Sequence, residues 1–314
     1  MSNRKYSEIL LTDEAMPFFN RLESFAKNNG VNSNAMSSHW RHFSSNSICF
    51  ADGNTIKFKT VGLDDYINND IINRVRNIPS TIYLNKLCKK LPNNIHKAML
   101  KVCEGHNRAV SFNCVKQALS LNQILESNID LEDEVVGVIG DGHGFMGCLI
   151  KQLFPSARII QINLAKNLLL DYVLSSTFGR EYSFNIVLND DEFLEDFDFN
   201  FIPAELIFEI YPKNIGFFIN IASMGEMDQE IISKYFELMR SQNTKSTFFY
   251  CCNRKEKDLP DGSKTFFSNY GWSDKDTVIF EEYCAWYRKY PMNRPPFMRA
   301  FDGVFLHKLL EISR

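Results

Sequence analysis

Val135-Val136-Gly137-Val138-Ile139 runs straight into Gly140-Asp141-Gly142-His143-Gly144. A short apolar run rich in β-branched residues marks a strand buried on both faces. Three alternate glycines directly after it mark a turn where the backbone bends tightly and a ligand can approach closely. A helix over about Phe145 to Leu153 follows and stops at Pro155. Strand, glycine turn and helix together predict the opening unit of a parallel sheet. Ligands of such sheets bind beyond the C-terminal strand ends.

The same rhythm continues downstream. Arg158 to Asn163 reads as a second strand and Asn167 to Ser175 as a second helix. Asp198 to Ile202 reads as a third strand, ending in Pro203-Ala204, and Gly216 to Ile221 as a fourth. Asp228 is placed to cap a helix reaching about Arg240, and Ser246 to Cys251 reads as a fifth strand. Gly303 to His307 is suited to a late strand that closes the sheet. Glu181 to Phe197 fits no element and is expected to be an insertion before the third strand. Alternating strands and helices predict an α/β fold with a parallel sheet covered on both faces.

Upstream of about residue 130 the pattern is mostly helical. Leu11, Ala15, Phe18, Leu22 and Phe25 recur at helical steps, with Asp13 placed to cap. Thr55 to Val61 alternates like a strand. Ile95 to Leu125 predicts one or two buried helices, broken near Gly105. We therefore divide the chain into a mainly helical N-terminal domain, 1–130, and a Rossmann-like domain, 131–314. The first offers a lid, acceptor contacts or a homo-oligomer surface.

Composition removes several classes. The chain has 314 residues, 45% hydrophobic and 23% charged, which is the balance of a globular protein. A net charge of -3 provides no global basic field for a nucleic-acid backbone. No apolar run reaches the length of a membrane span or follows the N-terminus as a signal peptide would. Eight scattered cysteines, with Cys251 and Cys252 adjacent, are not the disulfide framework of a small secreted domain. The expected compartment is the cytoplasm, with free thiols.

The glycine turn fits two cofactors. Gly142, Gly144 and Gly147 have the Gly-x-Gly-x-x-Gly spacing of dinucleotide sites. Gly140, Gly142 and Gly144 have the Gly-x-Gly-x-Gly spacing of S-adenosylmethionine sites. The long segment before the first strand and the absence of any Tyr-x-x-x-Lys pair favour the methyl donor over a nicotinamide oxidoreductase. Asn163 ends the second strand 19 residues after Gly144, where an acid usually accepts from ribose hydroxyls. That substitution keeps a third option in view, a non-catalytic binding protein on the same fold.

Later motifs carry a resemblance. These are Ile139 to Gly144, then Asn220-Ile221-Ala222-Ser223-Met224-Gly225-Glu226-Met227, and Tyr250-Cys251-Cys252-Asn253-Arg254. Tyr270-Gly271-Trp272 and Asp302-Gly303-Val304-Phe305-Leu306-His307 complete the set. Together they resemble the sugar O-methyltransferases of bacterial surface-polysaccharide clusters, from about residue 134 to the C-terminus. Many members carry an acid where this chain has Val138, and an Asp where it has Asn163. The resemblance implies a class I methyltransferase fold, S-adenosylmethionine as donor, and a sugar or glycan hydroxyl as acceptor. Donor contacts are then expected at Gly140, Asp141, Gly142, His143, Gly144, Asn163, Leu164, Pro203, Ala204, Asn220 and Ser223.

A sugar hydroxyl is a poor nucleophile near neutral pH, so its transfer calls for a general base. Glu226, on the loop after the fourth strand, is the first candidate. His307 is the second, since a neutral imidazole suits the task. Asn253 and Arg254 are candidates for holding an acceptor hydroxyl, carboxylate or phosphate. Tyr270 and Trp272, and further on Trp286 and Tyr287, are candidates for stacking on a sugar. No spacing typical of metal ligands is present, and no metal is expected. Pro295-Pro296-Phe297 is similar to a motif of amino methyltransferases, but it follows Arg294 and the fifth strand, so that reading is rejected. If the fifth strand ends at the acceptor, alkylating Cys251 or Cys252 is expected to block activity.

Overall fold

The computed structural model describes residues 6–29, 37–43, 48–59, 78–179, 181–292 and 298–314. The Pro295-Pro296-Phe297 segment lies outside the described residues, as do residues 60 and 61 of the expected N-terminal strand. In chain order the first elements are β1 (Ser7–Leu10), α1 (Met16–Asn29), α2 (Ser38–Phe43), β2 (Ile48–Asp52) and β3 (Thr55–Lys59). Helices α3 (Ile78–Cys88), α4 (Asn93–Gly105) and α5 (Phe112–Glu126) follow. Then come β4 (Val135–Ile139), α6 (Phe145–Leu153), β5 (Arg158–Asn163), α7 (Ala165–Phe178), β6 (Phe184–Ile186) and β7 (Phe199–Pro203). Next are α8 (Ile207–Ile210), β8 (Phe217–Ile221), α9 (Gln229–Arg240) and β9 (Thr247–Arg254). Last are β10 (Glu256–Asp258), β11 (Lys264–Phe266), β12 (Thr277–Tyr283), β13 (Lys289–Pro291), β14 (Met298–Ala300) and β15 (Phe305–Ile312).

Eight strands form the central sheet in the order β12-β15-β9-β8-β4-β5-β7-β6. All neighbours from β9 to β6 pair in parallel, while β15 runs antiparallel to both β9 and β12. This is a Rossmann-like α/β sheet, with one reversed strand near its end.

Side-chain alternation along each strand divides the core in two. Val136, Val138, Ile159, Phe217, Ile219, Tyr250 and Cys252 face the layer built by α1, α4, α5, α6 and α7. Val135, Ile139, Ile160, Phe218, Phe249 and Cys251 face the layer built by α8, α9 and the Phe267–Trp272 segment. The N-terminal helices therefore share one continuous core with the sheet.

Three details depart from the expectation. The segment 181–197 contains β6, which pairs with β7 and forms the sheet edge. It is only three residues long, too short for periodicity to reveal. The N-terminal region adds a three-stranded antiparallel sheet, β1-β3-β2, to its helices. At the start of α1, Thr12 does the capping: its Oγ1 accepts from Ala15 N at 3.2 Å. Asp13 instead accepts from Asn54 Nδ2. Among the described residues, no helix is long and apolar enough to cross a membrane.

Candidate functional site

The glycine turn closes β4 with Gly140, Gly142 and Gly144 at φ values of +70°, +80° and +63°. L side chains avoid this region. A Cβ on Gly140 would lie 2.3 Å from Ser223 Oγ, so the loop after β8 is pressed against the turn. A Cβ on Gly142 would meet nothing within 4 Å, so this backbone faces open space. A cleft of about 220 Å³ opens there, walled by Glu23, Lys27, Cys49, Lys166 and Leu170.

Asp141 turns inward. Its carboxylate accepts from Met146 N and Gly147 N, each at 3.1 Å, and from Gln161 Nε2 at 3.2 Å. An anion thus already occupies the N-terminus of α6, the position where a dinucleotide's pyrophosphate would be held. A second acid lies behind the turn. Asp171 on α7 is fully buried and accepts from Gly144 N at 2.9 Å and from Asn163 Nδ2 at 2.8 Å. Burial raises both carboxyls above the ordinary range, and the charge of Asp141 raises Asp171 further. Gln161 Oε1 and Gln117 Oε1 are buried with no hydrogen-bond partner among the described residues.

Asn163 has both side-chain polar atoms engaged inside the protein. Besides donating to Asp171, its Oδ1 accepts from Leu164 N at 2.9 Å. Pro203 pairs with Asn163, and Ala204 N donates to Asn163 O at 2.8 Å. Leu164 and Ala204 are buried at the same strand ends. Beside them the half-buried Glu205 accepts from Ala165 N at 3.1 Å, at the start of α7, and burial raises its carboxyl. No cation pairs with Asp141, Asp171 or Glu205 among the described residues. His143 is half-buried on the turn, and its pKa is lowered to about 3 by burial and by the charge of Arg108.

The loop after β8 forms the other half of the site. Ala222 takes φ +60°, a strained value for a residue with a Cβ. The strain is held by an amide lock. Asn220 Nδ2 donates to Ile139 O at 2.9 Å and to Ser223 Oγ at 2.7 Å. Asn220 Oδ1 accepts from Met224 N at 3.0 Å and from Asn253 Nδ2 at 2.8 Å. Asn253 Oδ1 accepts from Gly225 N at 3.1 Å. Asn220 and Asn253 are buried and committed to the lock, so Asn253 is unable to reach an acceptor as the sequence suggested.

The lock presents Glu226. Its Oε1 pairs with Lys257 Nζ, and its Oε2 lies 3.4 Å from His39 Nε2. Ser37 Oγ donates to Glu226 O, tying the 37–43 segment to the loop. Burial, more than any other influence, lowers the His39 pKa; Glu226 opposes it, while Lys257, His42 and Arg254 assist. Burial also lowers Lys257. Arg254 ends β9, with its guanidinium over the rings of Phe301 and Phe305.

The remaining candidates belong to the core. His307 is 1% exposed, with Nδ1 3.2 Å from Tyr250 OH and Nε2 3.3 Å from Glu282 Oε1. Tyr250, Phe280 and Trp286 pack around its ring, so His307 is a core histidine whose two nitrogens face Tyr250 and Glu282. Trp272 packs edge-on to Phe236 at 4.9 Å, and its Nε1 donates to Phe267 O. Tyr270 stacks on Trp272 and is 5% exposed. Trp286 and Tyr287 are buried as well. Tyr270, Trp286 and Tyr287 are thus core rings, and Trp272 is a half-buried ring packed against Tyr270 and Phe236. Sequence reasoning missed His39, Lys257, Asp171 and Glu205. Only Glu205 carried a signal, as an acid just past a strand end. Among the described residues, no three His, Cys, Asp or Glu side chains are grouped to hold a metal.

No family model matches the chain, and no curated relative does. Similar folds occur among solved structures. A protein of Thermoplasma acidophilum is 12% identical over 71% of this chain and 98% of its own, with a TM-score of 0.43. A SAM-dependent methyltransferase from Aquifex aeolicus is 13% identical over 62% of this chain and 92% of its own, at 0.36. TrmK of M. capricolum, solved with S-adenosyl-homocysteine, is 12% identical over 62% of this chain and 68% of its own, also at 0.36. At this level they assign no substrate to this chain.

Proposed function

We infer that this chain is an S-adenosylmethionine-dependent methyltransferase whose acceptor is a sugar hydroxyl of a surface glycan or its precursor. The observation that carries the donor is Asp141. Its carboxylate holds the N–H groups of α6 that a dinucleotide needs for its pyrophosphate, and Glu205 stands at the neighbouring strand ends. Such a rim disfavours an anionic dinucleotide and suits a cationic sulfonium. The unpartnered Gln161 and Gln117 oxygens fit an ammonium donor of hydrogen bonds, and the open face at Gly142 gives a ligand access to the backbone. The sugar rests on the resemblance in the Asn220–Met227, Tyr250–Arg254 and Asp302–His307 motifs.

The donor supplies a methyl group on a positively charged sulfur, open to in-line attack. Gly140, Gly142 and Gly144 would hold it against the backbone, with Leu164, Pro203 and Ala204 around its base. Glu205 would supply the ribose-binding carboxylate that Asn163 lacks, since Asn163 is engaged by Asp171. Glu226 accepts the hydroxyl proton as the oxygen attacks. The fixed Asn220–Asn253 lock keeps its carboxylate in place, and preorganised geometry provides much of the acceleration. Lys257 and His39 orient it, and His39 brings the N-terminal region to the reacting centre. We place residues 1–130 as cover and acceptor-side domain, with donor and base on 131–314. None of the eight cysteines is in a disulfide, which suits a reducing cytoplasm.

Titration calorimetry with S-adenosylhomocysteine and with NADH tests the donor. The expected result is saturable binding of the first and none of the second. Binding of NADH alone would reverse the assignment. A 14 Da gain on a glycan, seen by mass spectrometry, tests the acceptor.

A further inference from the structure

Two cations near the end of β9 have no anionic partner among the described residues. Lys116, on α5, is 2% exposed. Its Nζ meets ring faces instead of a carboxylate: 4.4 Å from the centroid of Phe301, 4.6 Å from Tyr287 and 6.0 Å from Phe112. Arg254 shares the same ring, its Cζ lying 5.8 Å from Phe301 and 5.7 Å from Phe305. Phe305 is stacked on Tyr287 at 4.5 Å, so one aromatic block backs both charges.

Other basic residues in this fold show what ordinary partnering looks like. Lys151, also buried, donates to Pro155 O and Ala157 O and pairs with Asp198. Arg240 makes a two-pronged contact with Asp276. Ring faces return only part of what an ammonium loses on leaving water. Consistent with that, burial holds the Lys116 pKa down to about 8, and no carboxylate raises it. A charge kept at such a cost, beside a second unpaired charge, fits a bound anion better than a stability role.

The position is beside the proposed base. Arg254 is near enough to His39 and Lys257, both contacts of Glu226, to lower the pKa of each. Lys257 balances Glu226, which leaves Arg254 and Lys116 as the excess. Arg254, half-buried at the rim, offers a planar fork suited to phosphate or carboxylate.

We propose that Arg254, backed by Lys116 behind the Phe301 ring, forms an anion subsite that holds a phosphate or carboxylate group of the acceptor, so that the sugar methylated here is an acidic one. This deepens the methyltransferase reading and rests on it for the acceptor's identity, but not for the subsite itself.

Calorimetric titrations of the full chain with glucose 1-phosphate, glucuronate and neutral methyl glucoside decide it, run with and without S-adenosylhomocysteine. One of the anions is expected to bind at least about tenfold more tightly than the glycoside, and to weaken with added salt. The stronger of the two identifies the group. Arg254→Gln should weaken that anion about tenfold or more and leave S-adenosylhomocysteine affinity unchanged. Lys116→Met should weaken it several-fold while raising Tm, because methionine fills the same aromatic space without a charge. A structural lysine would not give that split. Equal affinity for the neutral glycoside, absence of anion binding, or variants with wild-type anion affinity would overturn the subsite. Failure of S-adenosylhomocysteine to bind would count against the methyltransferase reading, and the titrations without it would still decide the subsite.

Discussion

The two rims of one sheet edge are built with opposite charge. Around the glycine turn and the ends of β5 and β7 stand Asp141, Asp171 and Glu205, partnered by N–H groups and amides. Around the ends of β8 and β9 stand the cations Lys257, Arg254 and Lys116, and Glu226 is the carboxylate among the described residues that touches Lys257 and the imidazole of His39. Both rims contain groups that burial makes costly in their charged form. That arrangement is expected where one rim takes a cationic donor and the other an anionic acceptor, with a proton acceptor between them. A fold stabilised for its own sake would cross-pair these charges, as Lys151 and Asp198 do elsewhere.

The largest effect should come from the boundary between the rims. Glu226→Gln is expected to lower kcat by about two to four decades, as loss of a general base does. S-adenosylhomocysteine affinity should stay unchanged, since the donor rim is untouched. Single-turnover rates with a glycan acceptor measure the first quantity and calorimetry the second. Near-wild-type turnover would reduce Glu226 to a clamp for Lys257 and His39. A parallel loss of donor affinity would show that the two rims are one site.

What the sequence revealed follows from distance along the chain. Val135 to Ile139, the glycine turn and Arg158 to Asn163 were legible because strand, turn and helix signals lie within a few residues of one another. The place of Glu226, on a loop just past a strand, was legible for the same reason. His39 and Lys257 were not, because only the folded chain brings α2 and β10 onto that loop. Lys116 looked like any polar residue on a buried helix, and its isolation among rings depends on Tyr287 and Phe301 far downstream. His307 and Trp272 were misjudged because aromatic and histidine patterns do not say which side of a strand or loop faces the core. The edge strand β6 and the short strands β1 and β2 are below the length at which alternation is distinctive.

A smaller effect should sharpen the acidic rim. Glu205→Gln is expected to weaken S-adenosylhomocysteine about tenfold, the scale of a lost charged hydrogen bond. Asn163→Asp should not strengthen it, although an acid is common there. The new carboxylate would face Asp171 where an amide now donates at 2.8 Å, and Tm should fall. Tighter donor binding by Asn163→Asp would show that position 163, not 205, faces the ribose.

Asp171 also gives the acidic rim a pH signature. Its folded pKa is raised, so the folded protein binds more protons than the unfolded chain above the ordinary aspartate value near 4. Its contribution to stability is therefore present at low pH and is lost as pH rises through the raised value. Asp198 and Asp276 are lowered and act with the opposite sign, at lower pH. Denaturant unfolding of Asp171→Asn and wild type across pH isolates the term. The variant should gain relative to wild type as pH rises above about 4 and then level off. A flat difference would mean that burial and Asp141 do not raise the Asp171 carboxyl in the folded protein.

The smallest expected effect is the absence of one. If Cys251 and Cys252 opened onto an acceptor cleft, alkylation would stop the reaction. Both are fully buried, Asn253 Nδ2 donates to Cys251 Sγ at 3.2 Å, and burial pushes both thiols well up. The thiolate is the reactive form, so neither should react in the folded protein near neutral pH. Iodoacetamide should modify the half-buried Cys49 and Cys88 first, though slowly, because burial raises these thiols too. Cys49 lines the cleft at Gly142, so loss of donor affinity on its modification would assign that cleft to the acidic rim. Peptide mapping that finds Cys251 or Cys252 labelled faster than the chain unfolds would show that the end of β9 opens. The cationic rim would then be a mobile surface instead of a built one, and the contrast between the two rims would fail on that side.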